Sequence, residues 1–145
     1  LAPMAVLFMI CAFPAGYLGG RIGRKKAMLI GNAVIVVTFV IIFMLTEKNL
    51  LPVILGVSGA GWSLVTTNAY PAVAEMAPKG RTGLYTGYYY VFTFAASISS
   101  PILYGLVADM LKSQAYLFMF GCILFLLGMI FLIMVRKQDI QENNK

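Results

Sequence analysis

Five long apolar runs, separated by short polar connections, leave this chain few ways to fold. They cover about residues 1–19, 27–45, 51–75, 83–108 and 116–135, and a polar tail, 136–145, follows. Each run is close to the ~20 residues that a helix needs to cross the hydrocarbon layer of a bilayer. Inside lipid a backbone finds no partner but itself, so only helices or closed barrels can span. None of the runs alternates like a barrel strand. The fold class expected is therefore all-α: a polytopic membrane protein with five transmembrane helices.

Composition removes the alternatives. Of the 145 residues 61% are hydrophobic and 11% charged, whereas soluble domains carry roughly 45–50% apolar and about 25% charged residues. A soluble enzyme or a nucleic-acid reader is not expected, and no nucleic acid is expected as a partner. Disorder is excluded by the apolar content. There is no His, so neither a Ser/His/Asp set nor a Cys/His zinc cluster is available. Cys11 and Cys122 lie in apolar runs and read as small core residues. Gly56-x-x-Gly59-x-Gly61 lacks the Gly-Lys-Ser/Thr of a phosphate loop and reads as small-residue helix packing. No run holds a pair of carboxylates. The expectation is a protein that is not an enzyme and uses no cofactor or metal.

Charge orients the spans. The net charge is +6, and nine of the eleven Lys and Arg residues fall in the first connection, the third connection and the tail. Basic residues concentrate in cytoplasmic loops, so those three segments are expected inside and the C-terminus is expected to be cytoplasmic. The chain starts at Leu1 on the outer side, with no initiator Met and no signal-peptide pattern. A fragment preceded by further spans is expected, in a plasma (inner) membrane.

The spans differ in polarity. The second and fifth are almost purely apolar, which predicts peripheral positions against lipid. The third and fourth are rich in hydroxyls and aromatics, which predicts that they face a cavity or an interhelical seam.

The sharpest local pattern is Gly16-Tyr-Leu18-Gly-Gly20-Arg21-Ile-Gly23-Arg24-Lys25-Lys26. On charge alone it is a topogenic basic loop, with glycines that allow a tight turn between helices. Its spacing resembles the loop signature G-x-L-x-D-R-x-G-R-K of the major facilitator superfamily, matched by Gly16, Leu18, Arg21, Gly23, Arg24 and Lys25, with Gly20 at the Asp position. In that family the loop occurs once in each six-helix half, and loss of the Asp resembles the second copy. The resemblance implies a gating role for these residues.

Two further patterns extend it. In Asn68-Ala-Tyr70-Pro71, Pro71 removes the bond to the Thr67 carbonyl and predicts a kink or a loosened turn. Transporters build midplane sites at such breaks, although packing kinks arise in the same way. Glu75 follows at the end of the third span, where either Arg81 or the basic loop could pair with it. The fourth span opens Gly83-Leu-Tyr85-Thr86-Gly87-Tyr88-Tyr89-Tyr90 and continues through Ser100-Pro101 and Tyr104. Together these stretches resemble the sucrose–proton symporter branch of the superfamily and its bacterial sugar-permease relatives. The resemblance implies helices eight to twelve of a twelve-helix transporter, that is, part of a six-helix C-terminal half. It also implies an N-terminal half of the same chain as partner.

Spacing places the candidate solute site. Thr86, Tyr90, Thr93, Ser97 and Ser100 share one face of the fourth span, and Trp62, Ser63, Thr66, Thr67 and Tyr70 share one face of the third. Both faces are richest in polar groups near mid-membrane. Hydroxyls there can bond a polar solute while Trp62 or Tyr90 covers its apolar face; the competing use is bonding to neighbouring helices. Asn68 points away from that face and reads as packing or as part of the Pro71 kink. Glu75 and Asp109 are the acidic residues near span ends, so a proton carrier is expected in the N-terminal half. The function expected is secondary active transport of a small polar solute by alternating access, with a sugar moved by proton symport. The alternatives are a drug or metabolite exporter of the same superfamily and, from another class, a non-transporting membrane scaffold subunit.

Overall fold

The computed structural model describes residues 2–45, 48–111 and 116–135. The polar tail expected at 136–145 lies outside the described residues, as do Leu1 and Lys112. Five helices follow one another: α1 (Ala2–Ile22), α2 (Arg24–Met44), α3 (Leu51–Glu75), α4 (Thr82–Leu111) and α5 (Tyr116–Met134), with a short 3-10 turn at Lys48–Leu50 before α3. The chain is all-α among the described residues. Pro52 in the first turn of α3 suits that end, because its missing N–H has no intrahelical partner there. Gly80, at φ +82°, turns the chain from α3 into α4, and the Arg81 carbonyl accepts the N–H groups of Leu84 and Tyr85 that open α4.

Contacts along the helices fix their directions. Gly56 and Gly59 meet Pro3, Met4 and Leu7, and Asn68 bonds the Ala15 carbonyl; α1 and α3 therefore run parallel. Gly31 faces Gly61 while Arg24 reaches Glu75, so α2 is antiparallel to α3. Phe39 lies against Phe118 and Lys25 against the last turn of α5, so α5 is antiparallel to α2. The C-terminal ends of α1, α3 and α5 thus gather on one side, together with the N-terminus of α2.

Lipid tails are as apolar as Leu, so helices in a bilayer associate by close packing and polar bonds more than by the hydrophobic effect. This explains α3. Its buried positions are Gly56, Ser58, Gly59, Gly61, Ser63 and Asn68, all small or polar. They let α1 and α2 approach along its whole length: a Cβ added at Gly31 would stand 2.6 Å from the Gly61 carbonyl oxygen. The same residues lower its hydropathy. By length and composition α1, α2, α4 and α5 are able to cross a membrane, whereas α3 is long enough but too polar to meet that measure. As the central helix it packs closely against α1 and α2 and more lightly against α4. Its hydroxyls bond within the helix, Ser58 to the Leu55 carbonyl, Ser63 to Ala60 and Thr67 to Ser63.

Three expectations change. The second span is not peripheral: α2 buries Ala27, Met28, Gly31, Asn32, Ile35, Thr38 and Ile42 between α3 and α5. Lipid and protein interior are equally apolar, so an apolar helix does not declare which of them it faces. α5 does stay outside, with Cys122 its one buried residue. The fourth span, expected to face a cavity or an interhelical seam, has no buried residue among those described, so it is not sunk in a seam. It touches α3 near Tyr70 and α5 near Phe120. Finally, the glycine-rich stretch is not a loop. α1 stays helical to Ile22, and Gly23 alone, at φ +96°, separates it from α2. α3 is likewise helical through Pro71.

Candidate functional site

At the end where α1, α3 and α5 terminate, Arg24 joins three helices. Its Nε donates to Glu75 Oε1 at 3.1 Å, and its Nη1 donates to Asn68 Oδ1 at 3.1 Å and to the Gly16 carbonyl at 3.3 Å. Helix polarity explains the pairing. Arg24 opens α2, where the dipole is positive, and Glu75 closes α3, where it is negative. Each charge sits at the unfavourable pole of its own helix, and the pair relieves both. The Arg24 side chain is 25% exposed and that of Glu75 49%, so the ion pair alone is worth only ~0–1 kcal/mol.

Lys25, the next residue, turns to the opposite side. Its Nζ donates to the Ile133 and Val135 carbonyls at the end of α5, a favourable place for a cation. The other signature residues stand apart from this node. Arg21 lies over the Tyr17 ring, 4.8 Å from its centroid, one turn back on α1. Leu18 is exposed. Gly16 contributes its carbonyl, and Gly23 contributes the positive φ that turns the chain and sets Arg24 at the start of α2. Arg81 is exposed, and among the described residues the partner of Glu75 is Arg24.

The candidate solute residues divide into three groups. Tyr70, Thr86 and Tyr90 come together: the Tyr70 and Thr86 hydroxyls are 3.4 Å apart, and the Tyr70 ring lies 6.3 Å from that of Tyr90. Tyr89 joins them at 5.6 Å from Tyr70, and Phe94 stacks on Tyr90 at 6.0 Å. Trp62 instead meets Phe125 of α5 edge-on at 5.9 Å. Ser63 is fully buried and bonds its own helix. Thr66, Thr93 and Ser97 donate to the carbonyls of Trp62, Tyr89 and Thr93, one turn back in each case. Thr93 and Ser97 lie on an exposed face. These hydroxyl protons are already used, so the face as it stands offers a solute acceptors rather than donors.

Beyond this face, toward the opposite end, lies a cleft of about 530 Å³. Its walls are mainly Phe39, Tyr104, Phe118, Phe120, Leu124 and Phe125, with Ser100 at the margin. Among the described residues no three His, Cys, Asp or Glu side chains come together.

Two contributors escape sequence reasoning. Asn68, assigned there to packing or the Pro71 kink, is the partner of Arg24; its seven-residue spacing from Glu75 puts the two on one helical face and was the available signal. Tyr89 sits outside the hydroxyl stripe and gave no such signal.

The sequence profile described as Major Facilitator Superfamily matches residues 2–145. No curated protein and no solved structure matches the chain.

Proposed function

We propose, from the premise that this chain belongs to the major facilitator superfamily of membrane transporters, that it is the C-terminal portion of a secondary transporter, helices eight to twelve, that moves a small polar solute by alternating access. The observation that carries this reading is the Arg24 node. A transporter needs an interaction made in one state and broken in another. Arg24 supplies one that spans α1, α2 and α3 through few, partly exposed bonds. In this reading the node lies on the cytoplasmic side of a plasma (inner) membrane, and the α3–α4 face around Tyr70, Thr86 and Tyr90 receives the solute. Aromatic rings beside hydroxyl acceptors suit a sugar, whose hydroxyls donate and whose ring faces stack. Proton symport is the preferred coupling. The test is uptake by the protein in proteoliposomes, with a panel of labelled sugars and an imposed pH gradient. Accumulation that needs the gradient is expected; accumulation indifferent to it removes symport, and transport of none of the sugars removes the sugar assignment.

One observation favours a second reading. The aromatic cleft beside Phe118 and Phe125 has little polar lining, which suits an apolar drug or metabolite and an exporter. Competition of uptake by flat apolar compounds, but not by sugars, selects that reading.

A further inference from the structure

Asn68 uses its whole carboxamide. Its Nδ2 donates to the Ala15 carbonyl of α1 at 3.1 Å and to the Leu64 carbonyl of α3 at 2.9 Å, and its Oδ1 accepts from Arg24 at 3.1 Å. The side chain is fully buried. Only this orientation fits: flipped, the amide would set N–H against a guanidinium and oxygen against two carbonyls. Gly19 makes the room. A Cβ there would overlap the Asn68 carboxamide oxygen, so no larger residue leaves that oxygen in place. Arg24 therefore meets a buried neutral acceptor, fixed by two helices, in addition to the half-exposed carboxylate of Glu75. The acceptor oxygen is buried and the bond to it is directional, whereas the ion pair is screened by water and salt.

We propose that Asn68, seated in the notch made by Gly19, is the positioning residue of Arg24: its carboxamide oxygen holds the guanidinium between α1 and α3, and Glu75 adds charge to a side chain already placed. Release of Arg24 then strands a buried oxygen, which makes Asn68 the larger barrier to opening. The proposal deepens the gating role given to the Arg24 node and rests on that reading only for its consequence in transport.

The experiment reads Arg24 directly. The protein in lipid nanodiscs is treated with para-hydroxyphenylglyoxal, which modifies free guanidinium groups. Modification of Arg24 is followed by mass spectrometry against the exposed Arg21 and Arg81 of the same molecule. Asn68→Leu and Gly19→Ala are each expected to speed Arg24 modification about tenfold, the scale of one hydrogen bond to a charged group. Asn68→Asp keeps an oxygen toward Arg24 while losing both donors, and it is expected to hold modification near the original rate. Equal acceleration in Asn68→Asp and Asn68→Leu overturns the proposal, because the role is then only to tie α1 to α3. Continued protection in Gly19→Ala overturns it as well, and this variant keeps the test decisive if Asn68→Leu does not fold. Solute exchange measured on the same samples separates the two claims. Accelerated modification with unchanged exchange sustains the positioning role and removes the gate.

Discussion

Replacing Arg24 by Ala takes away three bonds of unequal worth. The Glu75 pair is half exposed and contributes ~0–1 kcal/mol. The Gly16 bond is long, at 3.3 Å, and accepted by a carbonyl inside α1. The Asn68 bond is different, because its loss leaves a fully buried oxygen unsatisfied, at a cost of ~1–3 kcal/mol. The latched state then loses about 2–3 kcal/mol, or roughly 30- to 140-fold in population at 1.4 kcal/mol per tenfold. Glu75→Gln keeps the Asn68 bond and is expected to cost about fivefold at most, within the range of an exposed pair. Arg21→Ala removes a contact to Tyr17 within α1. That contact is the same whichever way α1 moves, so it has no differential effect on the two states. The assay is solute counterflow in proteoliposomes, with equilibrium solute affinity measured in parallel. Each exchange cycle passes through the latched state, so depopulating that state outweighs the faster opening: Arg24→Ala is expected to slow exchange most, Glu75→Gln less and Arg21→Ala not at all, with affinity little changed. The reasoning fails if Arg21→Ala slows exchange as much as Arg24→Ala, or if Glu75→Gln matches Arg24→Ala. In the first case net charge of the connection is what acts; in the second it is the ion pair and not the buried bond.

Other perturbations test other parts. In intact cells a membrane-impermeant thiol reagent is expected to label Asn49→Cys and to spare Gly80→Cys; the reverse pattern inverts the assigned topology. Gly61→Val puts a side chain 3.0 Å from the Gly31 carbonyl and 3.1 Å from Ile35 and Val34. It is expected to lower stability by ~1–3 kcal/mol through overpacking, read as a fall in thermal midpoint, whereas Gly128→Val, with open space around it, is expected to leave the midpoint in place. Tyr70→Phe loses only the 3.4 Å contact to Thr86 and is expected to change solute affinity little. Tyr70→Ala also loses the rings of Tyr89 and Tyr90, at about 0.5–1.5 kcal/mol each, and unchanged affinity in that variant removes this face from the solute site.

Run length made the five helices legible, since a bilayer allows little else, and α3 spans the expected 51–75. The end of α1 was misread because four glycines between Gly16 and Gly23 look like a loop, their cost in a helix being ~1 kcal/mol each. Three of them stay helical; Gly19 does so because Asn68 fills the space that a side chain would take. Which helix is buried was not legible. α2 and α5 have similar apolar composition, yet α2 lies between α3 and α5 and also meets α1, whereas α5 packs mainly against α2 and meets α4 only lightly. The choice between Arg24 and Arg81 for Glu75 was open for a related reason. Sequence gives charge and order along the chain, whereas the pairing depends on α2 running antiparallel to α3. Helical spacing groups the polar residues of α3 and α4 into one stripe each, but it does not say which neighbour each member meets. Tyr70 meets Thr86 and Tyr90, while Trp62 turns to Phe125.

The basic connection gains a second meaning from helix direction. α1, α3 and α5 all present carbonyl-rich, negative ends on the side where α2 begins. A run of cations at the start of α2 opposes that helix's own dipole, so it is stable only while the neighbouring ends are near. Arg24 answers to α1 and α3, and Lys25 to α5. Moving α2 away from either side leaves a cation at a positive pole and carbonyls without their donor. The consequence is that, while these bonds are made, α1, α2, α3 and α5 hold together at this end as one body, bound by charge as well as by packing. α4 has no part in that arrangement. It is held by the Tyr70–Tyr89–Tyr90 rings near one end and by Tyr104 against Phe120 near the other, and ring contacts of this kind tolerate sliding better than hydrogen bonds do. The helix that carries most of the exposed hydroxyl face is therefore the one least fixed to the rest, and a solute bound between α3 and α4 would act on the seam with the fewest bonds to break.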